Sequence, residues 1–164
     1  MTLQRYALLV ESWNGVPTAP IHSAKKDLED WNDFLRSCLG GAWSGCEILP
    51  LHSPLKESFL ANVESLAQKN DFLFVTFSGH GGRDAEGDYI NISPNQIVYV
   101  NEIMERIPDG VSTTIILDAC RSFHSLQEQM SSLNSDEDVD YDVAASLQIW
   151  EHSFETLRPG HVLI

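Results

Sequence analysis

Two residues forty positions apart, His80 and Cys120, carry the side chains best suited to covalent chemistry. A thiolate attacks carbonyl carbon directly, and an imidazole can take and return the proton that the thiol gives up. Each residue closes an apolar run: Phe72-Leu-Phe-Val-Thr-Phe-Ser78-Gly79-His80-Gly81 and Thr113-Thr-Ile-Ile-Leu117-Asp118-Ala119-Cys120. Such runs predict strands buried on both faces, and reacting groups gather at the carboxyl ends of strands in an open parallel sheet. If the two strands are neighbours, both side chains emerge at one sheet edge. Gly79 and Gly81 would permit the sharp exit from the strand, and the Gly81 N–H could join that of Cys120 in stabilising an oxyanion. Taken singly, each residue has a plainer reading, since a histidine after a strand is commonly a turn residue and a lone cysteine is commonly core. A metal site of His80, Cys120 and His124 lacks the paired spacing of zinc ligands.

The elements that must position these residues alternate between strand and helix. Arg5 to Glu11 predicts a first strand, broken by Asn14-Gly-Val-Pro17-Thr-Ala-Pro20. Leu28, Trp31, Leu35 and Leu39 recur at helical spacing, with Ser23 as N-cap and Gly40-Gly41 as the stop. Glu47 to Leu51 is a short second strand, and Leu55, Phe59, Val63 and Leu66 mark a second helix ending near Asn70. After the strand 72–78, residues 81–87 read as a turn-rich loop, and Tyr89-Ile-Asn-Ile92 as one arm of a small hairpin. A short helix at about 100–107 leads to the strand 113–119. A polar stretch and an amphipathic helix from about 143 to 157 precede His161-Val-Leu-Ile164, which reads as the start of a further strand. Such alternation predicts right-handed crossovers, a mainly parallel sheet and a three-layer α-β-α sandwich.

With 164 residues and a hydrophobic fraction of 43%, the chain reads as one globular domain spanning 1–164. It has no membrane-length apolar run and no secretory cleavage pattern, so the expected compartment is the cytoplasm. The three cysteines are odd in number and irregularly spaced, which suits a reducing compartment; Cys38 and Cys46 read as small buried hydrophobes. A net charge of −14 argues against nucleic acid or an anionic membrane as partner.

Ser78-Gly79-His80-Gly81 followed by Asp118-Ala119-Cys120-Arg121-Ser122 resembles the large-subunit core of caspase-like cysteine peptidases, in particular the metacaspase and bacterial orthocaspase branch. The resemblance implies a caspase-like fold and a cysteine endopeptidase. It gives His80 and Cys120 as the catalytic dyad, with the Gly81 and Cys120 N–H groups as the oxyanion donors. It further implies a primary specificity pocket lined by Asp118, two residues before the nucleophile, and by Ser78. Ile21-His-Ser-Ala24-Lys-Lys-Asp27 matches the spacing of a second pocket aspartate, with Ser23-Ala24 in place of Gly-Cys, which makes Asp27 the candidate. The implied substrate is a protein or peptide cleaved after arginine or lysine. Two converging carboxylates suit a guanidinium partner, which agrees with that expectation.

The resemblance also brings alternatives. Caspase-like domains continue into a small-subunit region, so the chain is expected to need that segment, or an activating protein partner, to complete its groove. Bacterial relatives in defence systems are switched on by such partners. The alternative is an interaction or regulatory module that is catalytically incomplete. Calcium activates many metacaspases, and Asp136, Asp138 and Asp140 in the acidic loop of about 125–142 are the available donors. Their spacing does not match an EF-hand loop, and the expectation is a solvated loop without a cofactor. No lysine or arginine lies between Arg121 and Arg158, so an enzyme specific for basic residues is expected not to cut itself there.

Overall fold

The computed structural model describes residues 4–119, 122–123 and 161–163. The large sheet is built from β1 (Arg5–Ser12), β2 (Ile48–His52), β3 (Phe72–Gly79), β7 (Ser112–Ala119) and β9 (His161–Leu163). Their order is β2-β1-β3-β7-β9, and every registered pair is parallel. The chain steps one way from β1 to β2 and the other way from β2 to β3 and from β3 to β7. Right-handed crossovers therefore put α1 (Ser23–Arg36) on one face, and α2 (Lys56–Ala67) and α3 (Val100–Met104) on the other. This is the expected three-layer arrangement.

Strand alternation divides the core. Leu8, Val10, Leu73, Val75, Phe77 and Ile115 point toward α2 and α3, where they pack with Phe59, Leu60, Val63 and Ile103. Ala7, Leu9 and Phe74 point the other way, against Leu28 and Leu35 of α1 and against Trp43.

A second, four-stranded sheet has the order β6-β5-β4-β8, formed by β4 (Gly81–Asp84), β5 (Gly87–Ser93), β6 (Gln96–Tyr99) and β8 (Ser122–Phe123). Its first strand corrects the loop expected at 81–87. Gly-Gly-Arg-Asp has no apolar content to mark it as a strand, yet its backbone pairs antiparallel with β5 and closes a hairpin. Other boundaries shift by a few residues. Ser23 is the first helical residue, His22 occupies the cap position without a side-chain bond, and α1 ends at Arg36 rather than Leu39. The short helix ends at Met104. Cys38 and Cys46 are exposed, not buried, because α1 has already ended before Cys38, and Cys46 sits in the short 3-10 turn Gly45–Glu47. The expected strand at the chain end is present as β9, parallel to β7. The acidic loop, with Asp136, Asp138 and Asp140, and the helix expected at 143–157 lie outside the described residues, as does His124.

Candidate active site

The carboxyl ends of β1, β3 and β7 converge on one edge. Ser78 is registered with Asp118, and Gly79 with Ala119, as the last pairs of β3 and β7. His80 is the single residue between Gly79, which ends the large-sheet strand, and Gly81, which begins the small-sheet strand. Gly82 is then registered with Ser122 of β8. The backbone on both sides of His80–Gly81 is thus paired with the backbone on both sides of residues 120–121. Cys120 itself lies outside the described residues.

The glycines flanking His80 are required by close approach. Neither Gly79 nor Gly81 has a positive φ, so the sharp exit expected of them does not use left-handed backbone. A Cβ at Gly81 would lie 2.7 Å from the Tyr89 carbonyl oxygen and 2.8 Å from the Ala119 Cβ. The backbone after His80 therefore touches the residue that precedes Cys120, and a side chain at 81 would push the two apart.

The imidazole of His80 is half-buried, and its Nε2 meets the carbonyl oxygen of Ala19. A carbonyl can only accept, so Nε2 carries the proton. Nδ1 then has its lone pair when the ring is neutral, with no partner among the described residues. The histidine backbone is held as well, since the Asn91 N–H donates to the His80 carbonyl at 2.9 Å. The Ala19 contact was not foreseen. A backbone carbonyl carries no residue-type signal, and Ala19 lies in a loop whose Pro17 and Pro20 marked only a break.

The three residues proposed for substrate recognition come together. Ser78 Oγ donates to Asp27 Oδ2 at 2.6 Å, which joins the end of β3 to α1. Asp27, Ser78 and Asp118 line one cavity of about 140 Å³ with Ile21, Ser23 and Gly79. Asp27 and Asp118 also line a second cavity of about 350 Å³ with Asp30, Trp31 and Phe34. Among the described residues, neither Asp27 nor Asp118 pairs with a cation. The neighbouring lysines are engaged elsewhere, Lys26 with Asp30 and Lys25 over the Trp13 ring at 4.5 Å. Among the described residues, the pocket presents two carboxylates without a cation partner, and the Ser78 hydroxyl on its wall is already committed to Asp27. No cluster of metal-ligating side chains occurs among the described residues. No helix among them is long and apolar enough to cross a membrane.

Comparison with known proteins bears on the family of the chain. The caspase domain family matches residues 4–153. Metacaspase-1B of Aspergillus oryzae is 31% identical over 148 residues, covering 74% of this chain and 35% of its own length. Metacaspase-1 of Eremothecium gossypii is 29% identical over 150 residues, covering 76% of this chain and 33% of its own length. For metacaspase-1A of Neurospora crassa the identity is 28% over 130 residues, with 63% and 28% covered. The chain spans about a third of the length of these relatives. On the extent of the family match and the agreement of the fold, the chain belongs to the caspase domain family.

Proposed function

We propose that this chain carries the catalytic core of a cysteine endopeptidase that cleaves proteins or peptides after arginine or lysine. The observation that carries this reading is the pocket at the ends of β3 and β7, where Asp27 and Asp118 face one cavity with no cation paired to either among the described residues. Two carboxylates facing one cavity, Asp27 partly buried and Asp118 exposed, repel each other until a cation enters, and a guanidinium can satisfy both with charge-assisted hydrogen bonds.

In this reading Cys120 is the nucleophile. His80 accepts the thiol proton at Nδ1, because Nε2–H is committed to the Ala19 carbonyl. The thiolate attacks the scissile carbonyl carbon, and the negative charge moves to its oxygen, beside the N–H groups of Gly81 and Cys120. Collapse of this tetrahedral species breaks the C–N bond, and the leaving amine takes the proton from His80. Water then attacks the acyl-enzyme carbonyl carbon and gives one proton to His80; the C–S bond breaks to release the acid, and His80 returns that proton to the Cys120 sulfur. The pairing that flanks His80–Gly81 on both sides supports this division of labour.

The test is hydrolysis of matched fluorogenic peptides ending in Arg, Lys or Asp, by the wild-type chain and by Cys120→Ala, with and without added calcium. Cleavage of the Arg and Lys peptides that vanishes in Cys120→Ala is the expected result. Cleavage after Asp instead would overturn the specificity. No cysteine-dependent hydrolysis in any condition would favour a binding module that needs a small-subunit segment or an activating partner. The same preparation tests self-cleavage. A cut by the wild-type protein between Ser122 and Leu157, where there is no lysine or arginine, would contradict a basic specificity.

A further inference from the structure

At the end of β1 a carboxylate is completely enclosed, and the chemistry proposed above does not use it. Glu11 is 0% exposed. It points to the same face of the sheet as Leu9, in register with Ser78 on one side and His52 on the other. An ionised side chain at such a depth is retained only where hydrogen bonds replace its water. Glu11 has two. Its Oε2 accepts the Trp13 N–H at 2.8 Å, and its Oε1 meets His52 Nδ1 at 3.0 Å. His52 is 65% exposed and belongs to β2, so the carboxylate links the ends of two strands. A parallel tie runs through the backbone and a side chain, with Ser53 N–H on the Glu11 carbonyl at 2.8 Å and Ser53 Oγ on Asn14 Oδ1 at 2.6 Å.

Trp13 is the neck of the loop that joins β1 to α1. Its carbonyl accepts the Ile21 N–H at 2.7 Å and closes residues 13–21 into a ring. Its indole stacks on His22 with ring centroids 5.6 Å apart. Within that ring lies Ala19, whose carbonyl meets His80 Nε2, and at its far end lies Ile21, a wall of the pocket. The position of the one group that holds the His80 ring among the described residues therefore depends on where the neck is held.

We propose that Glu11 is a positioning residue for His80, acting through the Trp13 N–H and the 13–21 loop, with His52 holding the carboxylate from the solvent side. The role of His80 in hydrolysis rests on the peptidase reading, but the coupling between Glu11 and the His80 ring does not.

The experiment reads that ring directly. Long-range ¹H–¹⁵N correlation spectra of the full chain report the His80 tautomer and the exchange rate of its Nε2 proton with water, whether or not the protein turns over substrate. Glu11→Leu removes the acceptor at similar size, and Glu11→Gln keeps an oxygen for the Trp13 N–H. In Glu11→Leu the Nε2 proton should exchange about tenfold faster, the scale of one lost net hydrogen bond, and any peptidase kcat should fall more than KM rises. Glu11→Gln should restore the wild-type spectrum. A folded Glu11→Leu with an unchanged His80 ring overturns the inference, and so does a Glu11→Gln variant as perturbed as Glu11→Leu. Should Glu11→Leu fail to fold, the surface change His52→Ala carries the test. Removing one of two holds on Glu11 should speed exchange about two- to threefold, a fraction of one hydrogen bond, and an unchanged rate overturns the proposal. A perturbed ring in a protein without cysteine-dependent hydrolysis would refute the peptidase reading and leave the positioning role standing.

Discussion

The two faces of the large sheet are built from the same strands but do different work. Toward α2 and α3, the alternating residues of β1, β3 and β7 are apolar almost to the strand ends: Leu8 and Val10, Leu73, Val75 and Phe77, Ile115 and Leu117. Toward α1 the alternation begins in the same way, with Ala7, Leu9 and Phe74, and then changes. Its last row across the sheet is His52, Glu11, Ser78 and Asp118, four polar side chains in register on four neighbouring strands. Burying apolar area stabilises the fold without directing chemistry, whereas a polar row at the carboxyl ends can recognise a charged ligand but adds little core. The comparison predicts that substitutions on the two faces separate into losses of stability and losses of function.

The sharpest break should come from the α2 face. Phe59 is fully buried at the centre of that core. Phe59→Ala should cost about 3–5 kcal/mol of unfolding free energy, a scale set by the lost transfer energy and the cavity left behind. Denaturant unfolding measures it. If Phe59→Ala unfolds at the wild-type midpoint, the assignment of this face to stability fails.

The pocket should respond in the opposite way. Asp118 is exposed and Asp27 partly so, and neither contributes to a core cluster. Asp118→Asn or Asp27→Asn should each lower kcat/KM on an Arg peptide about ten- to hundredfold, the scale of a hydrogen bond to a charged group, with an unchanged unfolding midpoint. Equal losses on Arg peptides and on peptides with a neutral residue at that position would show that the carboxylates do not read charge.

The sequence makes the two faces unequally legible. The strand 72–79 and the strand 112–119 are visible because apolar and β-branched residues fill them without interruption. Asp27, Ser78 and Asp118 are found by their positions in a family motif, and their meeting in one cavity follows from Ser78↔Asp118 register and the Ser78–Asp27 bond. The small sheet is poorly marked, because Gly81–Asp84 is a strand by pairing rather than by composition. Glu11 has no local signal either. It stands near the end of an apolar strand as a charged residue often does on a surface, and its burial and its bonds to His52 and the Trp13 N–H exist only in the folded chain. The exposure of Cys38 turned on where α1 stops, a boundary that helical spacing alone sets loosely, and that of Cys46 on a short 3-10 turn before β2.

A subtler test of the α1 face concerns Ser78, which is buried and holds Asp27 rather than reaching freely into the cavity. Ser78→Ala should cost about 0.5–1.5 kcal/mol in transition-state binding of an Arg substrate, the net worth of one hydrogen bond, seen as a fewfold to tenfold drop in kcat/KM. The loss should shrink in an Asp27→Asn background, because the bond it removes involves the Asp27 carboxylate. Fully additive losses in the double variant would place the effect of Ser78 elsewhere than at Asp27.

The smallest effect lies at the edge of the α2 face, where α2 meets α3 through an ion pair. Lys56 Nζ lies 2.8 Å from the Glu102 carboxylate, the Lys56 N–H donates to Gln96 Oε1 at 2.9 Å, and the Tyr99 N–H donates to Glu102 at 3.0 Å. Partial burial works to raise the Glu102 pKa, but the Lys56 hydrogen bond, the Tyr99 N–H and the charges of Lys56 and Arg106 outweigh it, and the net shift is downward from 4.5. A carboxylate with a depressed folded pKa adds stability above its unfolded value and loses it as pH falls through the folded value. Lys56→Met should therefore cost less than about 1 kcal/mol at neutral pH, as half-exposed pairs do. The gap between variant and wild type should close as pH drops below 4.5, where protonation removes the Glu102 charge in both proteins. A gap that stays constant through the acid range would mean that Lys56 acts through the packing of its aliphatic stem, and the edge would then belong to the apolar face rather than to its electrostatics.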